Sequence, residues 1–197
     1  APEYTFLVYA VPVGPYFKGG LNPISLKVSD EFHRAAPGGS GGVKAIGNYA
    51  PGMMPSKKAK SEGYAEIIYL DAVEHRYVEE VGAANFFCVK DNVLYTPELT
   101  GTILPGITRH STIELARSMG YEVHEIKVDI EFAMQADEAF CAGTAAVISP
   151  IGKIEQSGKI AEYCEGEIGP ITRQLYDALT AIQEGRAEDP FGWTPSV

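Results

Sequence analysis

The strongest limit on the fold is the irregular order of its apolar runs. Predicted strands cover residues 4–11 (YTFLVYAV, read as buried), 24–29 (ISLKVS), 31–35 (EFHRA), 65–71 (AEIIYLD), 121–129 (YEVHEIKVD) and 138–150 (EAFCAGTAAVISP, with a break at the glycine). The stretch 77–97 reads as strands turning at Lys90-Asp91-Asn92, and 152–160 as a polar hairpin. Residues 12–23 read as a loop by their Pro and Gly content. Helical signals are fewer: 49–62, 107–120, 130–137 and Pro170 to Glu184. In the last of these Ile171, Leu175, Leu179 and Ile182 share one face. Ser111 and Glu114 have capping-box spacing, Gly63 and Gly120 supply helix stops, and the tail after the last helix is irregular. Strands and helices do not alternate regularly, which argues against a doubly wound parallel sheet, and a strand-rich α+β domain is expected.

Charge and cysteine usage narrow the function. The chain of 197 residues is 45% hydrophobic, enough for a substantial core. Its 26 acidic against 16 basic side chains give a net charge of −10, which argues against general nucleic-acid binding. A small anion can still bind through local backbone dipoles. No run reaches the ~18 apolar residues of a membrane span. The opening APEYTFLVYAVPVGP lacks a basic n-region and a cleavage site, so it reads as a strand rather than a signal peptide. The absence of an initiator Met points to a trimmed or partial chain. Cys88, Cys141 and Cys164 are widely spaced, which fits a reducing compartment and no metal site.

Four segments carry possible chemistry. Lys44 sits alone among Gly38, Gly39, Gly41, Gly42 and Gly47. It is either a surface lysine in a flexible loop or an amine nucleophile approached by a planar ligand. In ILPGITR, a Pro105-Gly106 turn precedes a helix, so the amides of Ile107 and Thr108 form either an ordinary capped start or a phosphate site. The Gly-Thr-Ala stretch at 143–145 is either a β-bulge or a second anion cradle. Glu79 and Glu80 are adjacent in a predicted strand, so one of them points inward and needs a cationic partner. An amine, two anion cradles and an inward acid together are what a pyridoxal phosphate site requires.

At this point a resemblance emerges. GGVKAIGNYA, EEVGAANFF, ILPGITR and DEAFCAGTAAVISP resemble, in this order, the signature segments of branched-chain amino-acid aminotransferases, class IV enzymes of fold type IV. The likeness runs from about Tyr4 to Trp193. It implies an α+β fold built as a mixed-sheet pseudo-barrel surrounded by helices, with pyridoxal 5′-phosphate as cofactor and no metal. By resemblance Lys44 matches the lysine that binds the cofactor covalently and moves the proton between Cα and C4′. Tyr49 matches the tyrosine that meets the phenolic oxygen, and Glu80 the acid that pairs with the ring nitrogen. Ile107, Thr108 and Thr144 match phosphate ligands, and Ala145 a turn that holds the substrate carboxylate. Asn85 lies in a signature position without a direct role. Pro51 and Pro55 depart from the family's usual helix formers after the tyrosine.

The implied reaction is reversible transfer of the amino group of leucine, isoleucine or valine to 2-oxoglutarate. The implied partners are amino acids and 2-oxo acids, with neither nucleic acid nor membrane, and a homodimer in the full-length protein. The implied location is the cytoplasm, or the plastid in a plant. Residues 1–197 correspond to the large C-terminal, cofactor-binding domain, with 1–25 near the interdomain connection and no counterpart of the smaller N-terminal domain. Alternatives on the same fold are a D-amino-acid aminotransferase or an aminodeoxychorismate lyase. A further alternative is a catalytically silent domain kept for oligomerisation.

Overall fold

The computed structural model describes residues 2–12 and 20–194. Among these, nine strands and four α-helices form: β1 Ile24–Ser29, α1 Met53–Ser61, β2 Glu66–Leu70, β3 Val78–Val81, β4 Ala84–Lys90, β5 Val93–Pro97, α2 Ile107–Ser118, β6 Val123–Ile126, α3 Ile130–Ala133, β7 Glu138–Gly143, β8 Val147–Gln156, β9 Lys159–Glu162 and α4 Pro170–Gln183. The sheet runs β3-β2-β1-β8-β7-β4-β5-β6, and β3 also pairs with β4. That last pairing joins the ends of a path, so β1, β2, β3, β4, β7 and β8 close into a six-stranded barrel. Strand β1 lies parallel to both β2 and β8, whereas the remaining barrel contacts are antiparallel. The sheet is therefore mixed, as the family resemblance implies.

Alternation along the strands divides the core in two. One face of every barrel strand contributes to a single cluster, with Leu26, Ile68, Val81, Phe86, Cys141 and Ile154 among its members. The other face of β4 and β7 packs beneath α2 and α4, where Phe87 stacks on Phe140 at 4.9 Å between ring centroids. The apolar face of α4 behaves as its spacing predicts: Ile171, Leu175, Leu179 and Ile182 are all buried.

The start of α4 is held by a side chain remote in sequence. Glu138, buried on β7, accepts the amides of Ile171 at 3.0 Å and Thr172 at 2.8 Å, and the Thr172 hydroxyl at 2.7 Å. The helix has no cap of its own at Gly169. Glu138→Ala strands three donors at a buried helix end, so we expect a loss of ~3 kcal/mol. For a chain of this size that corresponds to a thermal midpoint lower by about 6–12 °C. A midpoint moved by less than about 2 °C would remove Glu138 from the account of α4.

Several local expectations are corrected. Residues 4–11 form no strand, and Tyr4, Phe6 and Tyr9 are at least four-fifths exposed. A continuous apolar run carries no register information, so its composition does not distinguish a paired strand from an extended segment without a partner. Residues 31–35 are irregular rather than a strand. The helix expected over 49–62 begins only at Met53, after short 3₁₀ turns at 46–48 and 50–52. Pro51 and Pro55 are accommodated because they fall in first turns, where the missing amide has no helical acceptor. Ser111 lies buried inside α2, whose N-cap is Gly106, so the capping-box reading of Ser111 and Glu114 is wrong. The run 138–150 is two antiparallel strands, with its break forming the turn between them. The predicted loop at 12–23 falls largely outside the described residues.

Candidate active site

The site begins with one transverse row of the sheet. Cross-strand register aligns Tyr69 with Glu80, Glu80 with Asn85, Asn85 with Ala142, and Ala142 with Ile148. Residues aligned this way share a face. The loop entering α2 crosses this row, and its Leu104 amide donates to Glu80 Oε1 at 2.6 Å.

Glu80 is 1% exposed. Its Oε2 lies 2.9 Å from Nε of Arg34, an equally buried guanidinium. Arg34 Nη1 donates to Thr102 O at 2.7 Å and to Gly41 O at 3.3 Å. Its guanidinium carbon also stands 5.8 Å from the centroid of the Tyr49 ring. Arg34 thus ties together the acid, the loop before α2, the glycine segment and Tyr49. Burial pushes the Glu80 carboxyl up to about 7, against the pull of Arg34, the Leu104 amide and Lys44, all of which favour the charged form. Sequence reasoning expected one glutamate of the pair to face inward. Both are buried, and the Thr102 hydroxyl donates to Glu79.

Lys44 is exposed at the end of the glycine segment and makes no ion pair among the described residues. Its loop is pinned. Asn48 Nδ2 donates to Ser40 O at 2.7 Å and Val43 O at 2.8 Å, while the Ser40 hydroxyl donates to Asn48 Oδ1 at 2.7 Å. Gly41 presses so closely on Ala35 and the Thr102 backbone that any Cβ there would collide. Gly41 therefore serves close packing of two backbones, and the lysine projects from a fixed edge.

Ile107 and Thr108 are the first two residues of α2, the former exposed and the latter buried. No side chain caps this helix, and its first turn holds no acid. Its partial positive charge is left without an internal anion. Thr144 and Ala145 are exposed in the β7–β8 turn, just past Ala142 of the transverse row. No side-chain hydrogen bond joins Thr144 to the other candidate residues. Tyr49 is half-buried between the two 3₁₀ turns and lines a cleft of about 160 Å³ with Tyr69, Glu66 and Gly82. Arg34, Asn48 and Leu104 were not foreseen. A lone arginine in an irregular segment and an asparagine in a turn carry no local signal of what they bind.

Comparison with known proteins places this arrangement in context. Residues 1–154 match the family described as Amino-transferase class IV. The chain is 53% identical, over its whole length, to branched-chain-amino-acid aminotransferase 3, chloroplastic, of Arabidopsis thaliana, and covers 48% of that protein. The crystal structure of the Escherichia coli branched-chain amino acid aminotransferase superposes with a TM-score of 0.84 at 37% identity, over 93% of this chain and 59% of that one. The Thermobaculum terrenum branched-chain amino acid aminotransferase in its PLP-form superposes with a TM-score of 0.76 at 34% identity, over 84% of this chain and 52% of that one. The chain spans about half the length of the curated relatives it matches.

Proposed function

Because the chain belongs to the class IV aminotransferases, we propose that it forms the pyridoxal 5′-phosphate-binding part of a branched-chain amino-acid transaminase, with residues 1–197 as its large domain. The observation that carries the reading is the placement of a buried acid, Glu80, on the sheet row crossed by the entry to an uncapped helix.

The residues present fit the cofactor. Each carboxylate oxygen of Glu80 has one protein donor or cation and retains a lone pair for a ring N–H. The N-terminal amides of α2, at Ile107 and Thr108, offer donors to a phosphate dianion. Thr144 adds a hydroxyl, Tyr49 a phenol, and Lys44 an exposed amine. When bound, pyridoxal phosphate supplies a protonated ring that draws electron density from the substrate Cα. The protein's own work is then positional and acid–base. Glu80 keeps a proton on the ring side, and buried Arg34 opposes the loss of its charge. The Lys44 amine takes a proton from one carbon and returns it to another, as general base and then acid. The Ala145 amide, in the turn after β7, would hold the substrate carboxylate.

The test uses the intact protein. Added pyridoxal phosphate is expected to produce visible absorbance, and borohydride is expected to fix its mass on Lys44. An amino-donor panel with 2-oxoglutarate is expected to rank leucine, isoleucine and valine above D-alanine. A colourless protein, or label on another lysine, would remove the assignment. Turnover of D-alanine alone would replace the substrate class.

A further inference from the structure

We propose that Asn85 is a positioning residue for this site, fixing how far the anion-binding helix start stands from the acid. The inference rests on the cofactor reading given under Proposed function. Asn85 and Glu80 are directly opposed across β3 and β4. Between them they hold both backbone groups of one loop residue. Glu80 Oε1 accepts the Leu104 N–H at 2.6 Å, and Asn85 Nδ2 donates to the Leu104 C=O at 2.9 Å.

The chain beyond Leu104 is stiff. Pro105 has its φ set by the ring. The Gly106 amide turns back to the same Leu104 oxygen at 2.8 Å. Gly106, the N-cap of α2, has no room for a side chain, because a Cβ there would overlap Asn85 Oδ1. Asn85 therefore touches the loop at two points and sets where the helix begins. The amides of Ile107 and Thr108 come next in the chain.

The chemical consequence concerns a ligand with two ends. Pyridoxal phosphate carries a phosphate on the C5 methylene of a rigid ring and a protonatable nitrogen at position 1 of the same ring. Binding both ends at once requires a fixed separation between the two sites. The Leu104 clasp supplies it, since the same residue touches the acid directly and the helix start through Pro105 and Gly106. A Glu80–Asn85 row without the clasp would leave each end correct and the distance between them loose.

Asn85→Ala and Asn85→Leu test this in the intact protein, the second keeping the size and removing the donor without adding a charge. Affinity is measured for pyridoxal 5′-phosphate and for pyridoxal, which lacks the phosphate. Hydrogen exchange of peptides covering 104–110 is monitored without ligand. The expected result is at least tenfold weaker binding of the phosphorylated form, with less than twofold change for pyridoxal, and several-fold faster exchange over 104–110. A merely structural role would weaken both ligands in parallel, and that result, or no change in either, overturns the proposal. Should the wild type bind neither ligand, the cofactor reading fails. In that case unchanged exchange over 104–110 overturns the clasp, while faster exchange leaves it standing.

Discussion

Lys44→Ala is expected to cut transamination by ~10³-fold or more while leaving the fold intact. The side chain is exposed and makes no ion pair among the described residues, so its removal breaks no packing. Its loop is held instead by Asn48 and by Arg34 through Gly41. The thermal midpoint is therefore expected to stay within about 1 °C, the scale of an ordinary surface substitution. The variant is also expected to lose borohydride-fixed cofactor while retaining reversible binding through the helix start and Glu80. Activity within about tenfold of the wild type would mean that another group moves the proton.

Glu80→Gln is expected to separate activity from stability. On the proposed reading, the loss of the charged acceptor removes the electrostatic hold on the ring proton, and activity is expected to fall by about 10²-fold. Stability moves differently, and its sign is set by proton linkage. Burial raises the Glu80 carboxyl to about 7 in the folded protein, from an ordinary value near 4.5. Between those values the folded state binds more protons than the unfolded state, so stability falls as pH rises. The favourable contribution is complete below pH 4.5 and is lost as pH rises through about 7. Glutamine cannot titrate, so the variant is expected to lack this decline, on a lower baseline because its amide turns a donor toward either Arg34 or the Leu104 N–H. Denaturant unfolding at several pH values measures this directly. A parallel pH dependence in both proteins would show that Glu80 keeps its charge throughout that range, with Arg34 outweighing burial.

The barrel closure could not be read from any single segment. It depends on β3 pairing with both β2 and β4, and on β1 lying between β2 and β8, far apart in the chain. The glutamate pair shows the same limit. Alternation says that neighbours point to opposite sides, but the loop from Thr102 to Leu104 supplies a donor to each, so both are buried. Asn85, which the resemblance left without a role, gains one only because Leu104 is brought back over the sheet, 19 residues later.

The sequence by itself determined what short-range chemistry dictates. The Asp91-Asn92 turn adopts the positive φ that such residues tolerate. The apolar stripe of α4 requires a buried face, and the irregular order of the runs argues against a doubly wound parallel sheet. The family signature segments also lie in the sequence, with a lysine, an acid and a helix start in a recognisable order. Only the tertiary structure decided which polar groups meet. Arg34 reaches across 68 residues to Thr102 and binds Glu80 in the same pocket. The physical reason is that desolvation and charge pairing belong to the space around a group, and that space is filled by residues remote in the chain.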